Sequence, residues 1–154
     1  MAVLRFYFDF MSPFSYLAFE RTLALAQRYG LVFEPVCLDL SALKLAAGNT
    51  GPSTREQPLK ARYSGVDMQR WAKRYAIPLK RPEINKPERA NAGFYGMRPG
   101  EEVAYMRAVW KRLWGAGEDV STDAALAGIA AEIRWETAPS LAACAAPANA
   151  AKLA

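Results

Sequence analysis

The amino-acid sequence predicts an α/β fold in which one β-α-β unit is followed by an all-helical region. Residues 3–10 and 31–40 are rich in aromatic and β-branched side chains, which is typical of strands, and they flank one segment of helical periodicity. From Ser41 onward only helical patterns occur, and they are interrupted by Gly and Pro. We therefore place residues 1–40 in a first unit and residues 41–154 in a second, helical unit.

The first helix is predicted to begin at Ser12-Pro13, directly after the first strand. Ser is a preferred N-cap, and Pro is a preferred first helical residue because it has no N–H to leave unpaired. Apolar residues continue with helical spacing to about Arg28, and Gly30 stands where a C′ glycine would end the helix. The two flanking strands should be parallel and joined by a right-handed crossover.

The region after the second strand reads as a series of helices separated by Gly- and Pro-containing loops. The predicted helices cover residues 41–48, 59–77, 88–97, 100–117, 121–133 and 139–154. Six aromatic residues are expected to form the core between them: Trp71, Tyr75, Phe94, Tyr95, Trp110 and Trp114. Two parallel strands cannot bury both of their faces. We therefore expect further strands, supplied either by sequence beyond residue 154 or by partner chains, and we favour a C-terminal truncation.

Composition excludes several classes of function. The net charge is +5, but the basic residues are scattered, which favours a solvated surface over a nucleic-acid site. No apolar run approaches the roughly 18 residues that span a bilayer, and the N-terminus does not read as a signal peptide, so we expect a cytoplasmic protein without membrane contact. The chain contains no histidine, and Cys37 and Cys144 have neither metal-ligand nor redox spacing. We expect no metal site.

The most informative segment runs from Asp9 to Ser15, where a strand leads directly into a helix with the spacing Ser12-x-x-Ser15. The free N–H groups and the dipole at a helix start stabilise negative charge. Serine cannot exchange disulfides, so this segment cannot be a thiol redox centre. Two interpretations remain: Ser12 is only a helix cap, or its hydroxyl and the neighbouring amides hold a thiolate that another molecule brings.

Five segments occur in an order and at a spacing that resemble a known family. They are FYFDFMSPFSYLA (6–18), LDLSALKLAAGNTGPSTRE (38–56), VDMQRWAKRYAIPL (66–79), NAGFYGM (91–97) and VWKRLWGAGEDV (109–120). Together they resemble the 2-hydroxychromene-2-carboxylate isomerases of bacterial aromatic degradation, which are relatives of the kappa-class glutathione transferases. The resemblance implies a thioredoxin-like domain whose first half is residues 1–40, followed by a helical insertion at 41–154. The family's second thioredoxin half, with its Gly-Val-Pro segment, is absent from these residues.

The resemblance implies that glutathione is the cofactor and that Ser12 is the active-site serine beside its sulfur. It implies a cis–trans isomerisation, in which the glutathione thiolate adds reversibly to a conjugated double bond of a small aromatic carboxylate. It also implies a homodimer. Two alternatives remain open: a kappa-like glutathione transferase or peroxidase, and a non-catalytic binding protein of the same fold.

The same resemblance places substrate-binding residues in two loops and a helix. Lys44, Asn49, Thr54 and Arg55 fall around the family's substrate pocket. Lys44 and Arg55 are of a type that could clamp a substrate carboxylate, Arg with two parallel hydrogen bonds. Asn85 falls on a further pocket position, where the family has an aromatic residue. Without the resemblance, Lys44 and Arg55 would be interpreted as ordinary solvated residues.

Overall fold

The structure is a computed structural model that describes residues 2–153, apart from the side chain of Arg55. Its first unit is a two-stranded parallel sheet with one connecting helix. Strand β1 (Val3–Phe8) pairs in register with strand β2 (Val32–Cys37), so that the first residues of the two strands lie opposite each other, as do the last. Helix α1 (Pro13–Arg28) connects the strands, and Gly30 follows it with a φ of 62°. The predicted β-α-β unit is therefore confirmed.

The rest of the described chain is helical, as predicted. It contains α2 (Leu40–Ala46), α3 (Pro58–Tyr75), α4 (Glu88–Phe94), α5 (Glu102–Trp110), α6 (Asp123–Glu132), α7 (Thr137–Ala145) and α8 (Pro147–Ala150). Short 3₁₀ turns cover Thr54–Glu56 and Ala151–Leu153. None of these helices is both long enough and apolar enough to cross a membrane.

Several element boundaries differ from the sequence prediction. The first strand ends at Phe8 and not at residue 10, and the predicted helix over 139–154 is divided into α7, α8 and a 3₁₀ turn. The second strand ends at Cys37 and not at residue 40, because the Asp39 side chain caps α2 by accepting hydrogen bonds from Ser41 N and Ala42 N. Helix α5 continues beyond Trp110 as a π-helical segment over Lys111–Ala116. A π-helical turn is rare, and the sequence pattern did not predict this one.

The core is built around the indole of Trp110, which is 1% exposed. The rings of Phe8, Phe10 and Phe19 lie 5.3, 5.1 and 5.0 Å from it, centroid to centroid. Aromatic contacts at this spacing add to the free energy gained from burial alone. The core thus joins the β-α-β unit to the helical region, while the predicted division at residue 40 stays a prediction.

The expectation of a buried position was wrong for Trp71. This side chain is 41% exposed on α3, where its ring lies 5.3 Å from that of Tyr75. Phe94, Trp110 and Trp114 are buried as expected. Helix α3 lies at the periphery and exposes much of its surface. An aromatic side chain on this helix can therefore pack against another side chain of the same helix without reaching the core.

Candidate functional site at the start of the first helix

A four-residue turn, residues 9–12, connects β1 to α1 and ends at Ser12. Ser12 has an extended backbone with φ −87° and ψ 112°, which is the usual conformation of an N-cap. Its Oγ accepts a hydrogen bond from Ser15 N at 3.2 Å, and its own N–H donates to Asp9 O at 2.9 Å. The predicted helix start and cap are therefore confirmed.

The same geometry leaves hydrogen-bond donors free at the helix start. Because Ser12 Oγ is an acceptor in the cap, the hydrogen of its hydroxyl remains available to donate to another group. Pro13 has no N–H, and Phe14 N–H, as the second residue of α1, has no intrahelical acceptor. The first turn contains no acidic residue that would oppose an anion. These donors and the helix dipole can together stabilise a negatively charged group such as a thiolate.

The turn is held from the helical region by two side chains. The indole Nε1 of Trp114, in the π-helical segment, donates to Phe10 O at 2.9 Å. The side-chain Nδ2 of Asn85 donates to Met11 O at 3.2 Å. Both carbonyls that precede Ser12 are therefore fixed by residues more than seventy positions away in sequence.

A buried polar pair completes the support of this turn. Asp9 and Asn91 are 2% and 3% exposed. Asp9 Oδ1 accepts hydrogen bonds from Met11 N at 2.8 Å and from Asn91 Nδ2 at 2.9 Å. Neither residue was assigned a role from the sequence alone. The available signal was Asp9 itself, a charged residue within the aromatic run FYFDF (6–10).

The other predicted site residues lie in different places. Lys44 on α2 and Asn49 in the following loop are exposed. Thr54 is in the 3₁₀ turn after Ser53, and the Arg55 side chain lies outside the described part of the structure. Asn85 is part of the turn support, and its Oδ1 is buried without a hydrogen-bond partner among the described residues. Their assignment to a substrate site stays a prediction.

Thr54 lies on an open cleft of about 490 Å³ that reaches the first turn of α1. The cleft is lined by Phe14, Thr54, Leu59, Lys60, Tyr63, Ser64 and Asp67. Phe14, Leu59 and Tyr63 are 49%, 83% and 65% exposed, so their apolar surfaces face the open space. Lys60 adds a cation at the rim. The described structure therefore brings Thr54 together with the helix start, whereas Lys44, Asn49 and Asn85 are not among the lining side chains.

The cysteines are unsuited to nucleophilic chemistry. Cys37 and Cys144 are buried free thiols. Burial raises the pKa of the Cys37 thiol well above its ordinary value, and burial likewise raises the pKa of Cys144. The reactive form of a thiol is the thiolate, so both side chains are inert near neutral pH. The described residues also hold no group of three or more His, Cys, Asp or Glu side chains that could bind a metal ion.

Comparisons with known proteins identify the family and the fold. Residues 3–154 match the model of the DSBA-like thioredoxin domain. A 2-hydroxychromene-2-carboxylate isomerase of Pseudomonas putida is 41% identical over 135 residues, which are 87% of this chain and 66% of that protein. A solved structure of 2-hydroxychromene-2-carboxylate isomerase matches with a TM-score of 0.87 and 38% identity, over 94% of this chain and 72% of that one.

A more distant relative has a different activity in its name. The glutathione S-transferase kappa 1 of Caenorhabditis elegans is 30% identical over 129 residues, which are 77% of this chain and 56% of that protein. The thioredoxin-like fold class expected from the sequence is confirmed by the family and structure matches. The chain spans 66% of the length of its Pseudomonas putida relative.

Proposed function

The chain belongs to the DSBA-like thioredoxin domain family, and from this membership we propose that it is a glutathione-dependent isomerase of 2-hydroxychromene-2-carboxylate or a related aromatic carboxylate. Relatives with this activity in their names, at about 40% identity, support the reaction class. The product is the trans-benzylidenepyruvate or its analogue, formed without net oxidation or reduction.

The observation that carries the proposal is the free hydroxyl hydrogen of Ser12. Its oxygen accepts from Ser15 N at 3.2 Å, and its O–H can rotate to donate to a sulfur anion. The Ser12-x-x-Ser15 spacing supplies no thiol of its own, and both cysteines are buried. A thiolate nucleophile at this site would therefore be supplied by a bound molecule.

The donor set fits the thiol of glutathione. When bound, glutathione supplies a thiolate that can add reversibly to the conjugated double bond of the substrate. The Ser12 hydroxyl and Phe14 N–H would hold the sulfur as an anion, because charge-assisted hydrogen bonds and the helix dipole stabilise it. No imidazole base is needed, in agreement with a chain that has no histidine.

The cleft next to the helix start suits an aromatic carboxylate. Phe14 and Tyr63 offer apolar ring surfaces, and Thr54 offers a hydroxyl, in a space of about 490 Å³. The lining carries one cation, Lys60, and one anion, Asp67. Lys60 would hold the substrate carboxylate and stabilise negative charge that develops on the enone during addition. The family resemblance gives Arg55 and Lys44 a role in binding the same carboxylate.

The test is an absorbance assay of 2-hydroxychromene-2-carboxylate with the purified protein, with and without glutathione. We expect turnover only with glutathione, and we expect the glutathione concentration to be unchanged when the reaction ends. S-methylglutathione, which cannot form a thiolate, is the matched control and should not support turnover. Turnover at the same rate without glutathione would contradict the proposal.

A kappa-like glutathione transferase is the second candidate, favoured by the 30% identity to the Caenorhabditis elegans protein of that name. The same thiolate site could add glutathione irreversibly to an electrophile. The two functions differ in the fate of glutathione, because a transferase consumes one molecule per product and an isomerase consumes none. Mass analysis of the product therefore separates them.

A further inference from the structure

The turn before Ser12 is tied to two other parts of the molecule by one buried carboxylate. Asp9 Oδ1 accepts from Met11 N at 2.8 Å and Asn91 Nδ2 at 2.9 Å, and Oδ2 accepts from Leu40 N at 3.0 Å. A carboxylate that is 2% exposed is costly to bury unless donors surround it. Three N–H groups meet this need, and they belong to the turn, to the start of α2 and to α4.

Asn91 holds the other end of the same segment. Its Oδ1 accepts from Phe10 N at 3.2 Å, while its Nδ2 donates to Asp9. The two side chains thus take up the amide groups of both residues between Asp9 and Ser12. Trp114 and Asn85 take up the two carbonyls of those residues. The N–H and C=O groups of both residues between Asp9 and Ser12 are therefore hydrogen-bonded. The backbone that leads into Ser12 cannot change its conformation without breaking these bonds.

We propose that Asp9 and Asn91 are positioning residues that aim the Ser12 hydroxyl and the first turn of α1 at the thiolate. This inference rests on the proposed function, since it concerns the same site. Neither side chain lines the cleft that contains Thr54, and both are enclosed. They act through the turn, and a displacement of about 1 Å in such a donor lowers a reaction rate on the order of a hundredfold.

The bond between Asp9 and Leu40 extends this control to α2. Leu40 is the first residue of the helix that carries Lys44, one of the residues assigned to the substrate by the family resemblance. The Asp9 carboxylate therefore fixes the backbone in two places: the turn before Ser12, and the first residue of the helix that carries Lys44. Asp9→Asn is expected to weaken this network, because the amide N–H₂ must face either Leu40 N or the two donors that bond to Oδ1.

The test compares Asp9→Asn and Asn91→Ala with Tyr105→Phe. Tyr105 is 1% exposed and its hydroxyl donates to Ala90 O on α4 at 2.8 Å. Tyr105→Phe therefore removes a buried hydrogen bond to the same helix but keeps the aromatic ring that packs against Phe10 of the turn. The first readout is amide hydrogen exchange at Ser12 and Ser15, neither of which bonds to the Asp9 carboxylate. We expect exchange to be about tenfold faster in Asp9→Asn and Asn91→Ala, and unchanged in Tyr105→Phe.

The second readout is the pKa of the glutathione thiol in the complex, followed by the ultraviolet absorbance of the thiolate. We expect Asp9→Asn to raise it by about one unit and to lower kcat/KM on the order of a hundredfold, with no shift in Tyr105→Phe. Unchanged exchange and an unchanged thiol pKa in folded Asp9→Asn or Asn91→Ala would overturn the positioning role. If the unaltered protein binds no glutathione, the proposed function fails, and the exchange measurement then tests separately whether Asp9 and Asn91 fix the turn. Asn91→Ala keeps the carboxylate and serves if Asp9→Asn does not fold.

Discussion

At the scale of single residues, Ser12 uses one oxygen for two purposes. The lone pairs of Oγ cap α1 through Ser15 N, and the hydroxyl hydrogen remains for a ligand. A cap is worth about 1 kcal/mol to a helix. A substitution that removes the Ser12 hydroxyl therefore alters both the stability of α1 and the donor available to a ligand. Comparison with the same substitution at a second N-cap separates the two effects.

Thr122 is that second cap, because its Oγ1 accepts from Ala125 N at the same distance of 3.2 Å at the start of α6. We expect Ser12→Ala and Thr122→Ala each to lower the free energy of unfolding by about 1 kcal/mol. Only Ser12→Ala should lower kcat, by about 10²–10³-fold, as expected for one donor to a developing or bound anion. Urea unfolding and the glutathione-dependent assay measure the two effects. Equal activities in the two variants would assign Ser12 to capping alone.

Substitution of Arg55 tests how the protein binds the substrate carboxylate. If it binds that carboxylate by two parallel hydrogen bonds, Arg55→Met should raise KM about tenfold or more and change kcat little. Arg28→Met is the matched control, because Arg28 is exposed in the last turn of α1 and its loss changes the net charge equally. Steady-state kinetics at fixed glutathione provide the measurement. A tenfold rise in KM for Arg28→Met as well would indicate an effect of net charge.

At the scale of elements, α4 and α7 approach each other closely because α4 has a glycine at the contact. A Cβ at Gly93 would lie 2.6 Å from Cys144 Sγ on α7 and would also clash with Tyr105 Oη. Gly65, in α3, has no atom within 4 Å of the corresponding position. The two glycines are both helical, but only the first is required by packing.

The same substitution is therefore expected to have opposite effects at these two positions. Gly93→Ala should destabilise the protein by about 1–3 kcal/mol, because the core around it must shift. Gly65→Ala should stabilise it by about 0.5–1 kcal/mol, since alanine loses less backbone entropy in a helix. Thermal or urea unfolding of the two variants checks both signs. A stabilised Gly93→Ala protein would show that α4 and α7 pack less closely.

The positions of the helices and strands were largely predictable from local sequence patterns. The hydrogen bonds that hold the turn before Ser12 were not. Ser-Pro predicted the start of α1 and Gly30 predicted its end, because the residues next to a helix end determine its cap. The hydrogen bonds of Asp9 with Asn91 join residues 82 positions apart, and the π-helical segment that carries Trp114 has no distinct apolar period. Contacts of this kind depend on tertiary packing, so only the charge of Asp9 within an apolar run pointed to them.

At the scale of the whole molecule, several weakly acidic side chains are buried in their neutral form. The free energy of unfolding is therefore expected to change with pH in the alkaline range. Burial raises the pKa of Cys37 and Cys144 above the ordinary value of 9.0, and burial raises the pKa of Tyr105 well above 10.0. These groups stay protonated in the folded protein at pH values where the unfolded chain releases their protons. The unfolded state then binds fewer protons than the native state, and the free energy of unfolding falls as the pH rises.

We expect this fall to begin near pH 9, with Cys37 contributing a slope of about 1.4 kcal/mol per pH unit above that value. Urea unfolding at pH 8, 9 and 10 measures the slope. Cys37→Ala should be less stable at pH 8, because it leaves a cavity, but it should lose stability less steeply at higher pH. A slope that is the same in Cys37→Ala would contradict the contribution of this thiol.

The bond from the Trp114 indole to Phe10 O makes the site observable without attaching a reporter group to the protein. The chain has four tryptophans, so its indole N–H groups give at most four signals in a nitrogen-correlated NMR spectrum. The signal of Trp114 reports the strength of a hydrogen bond to the turn that ends at Ser12. Arrival of a thiolate at that turn is expected to change its chemical shift, and titration of this one resonance would follow ligand binding from inside the protein.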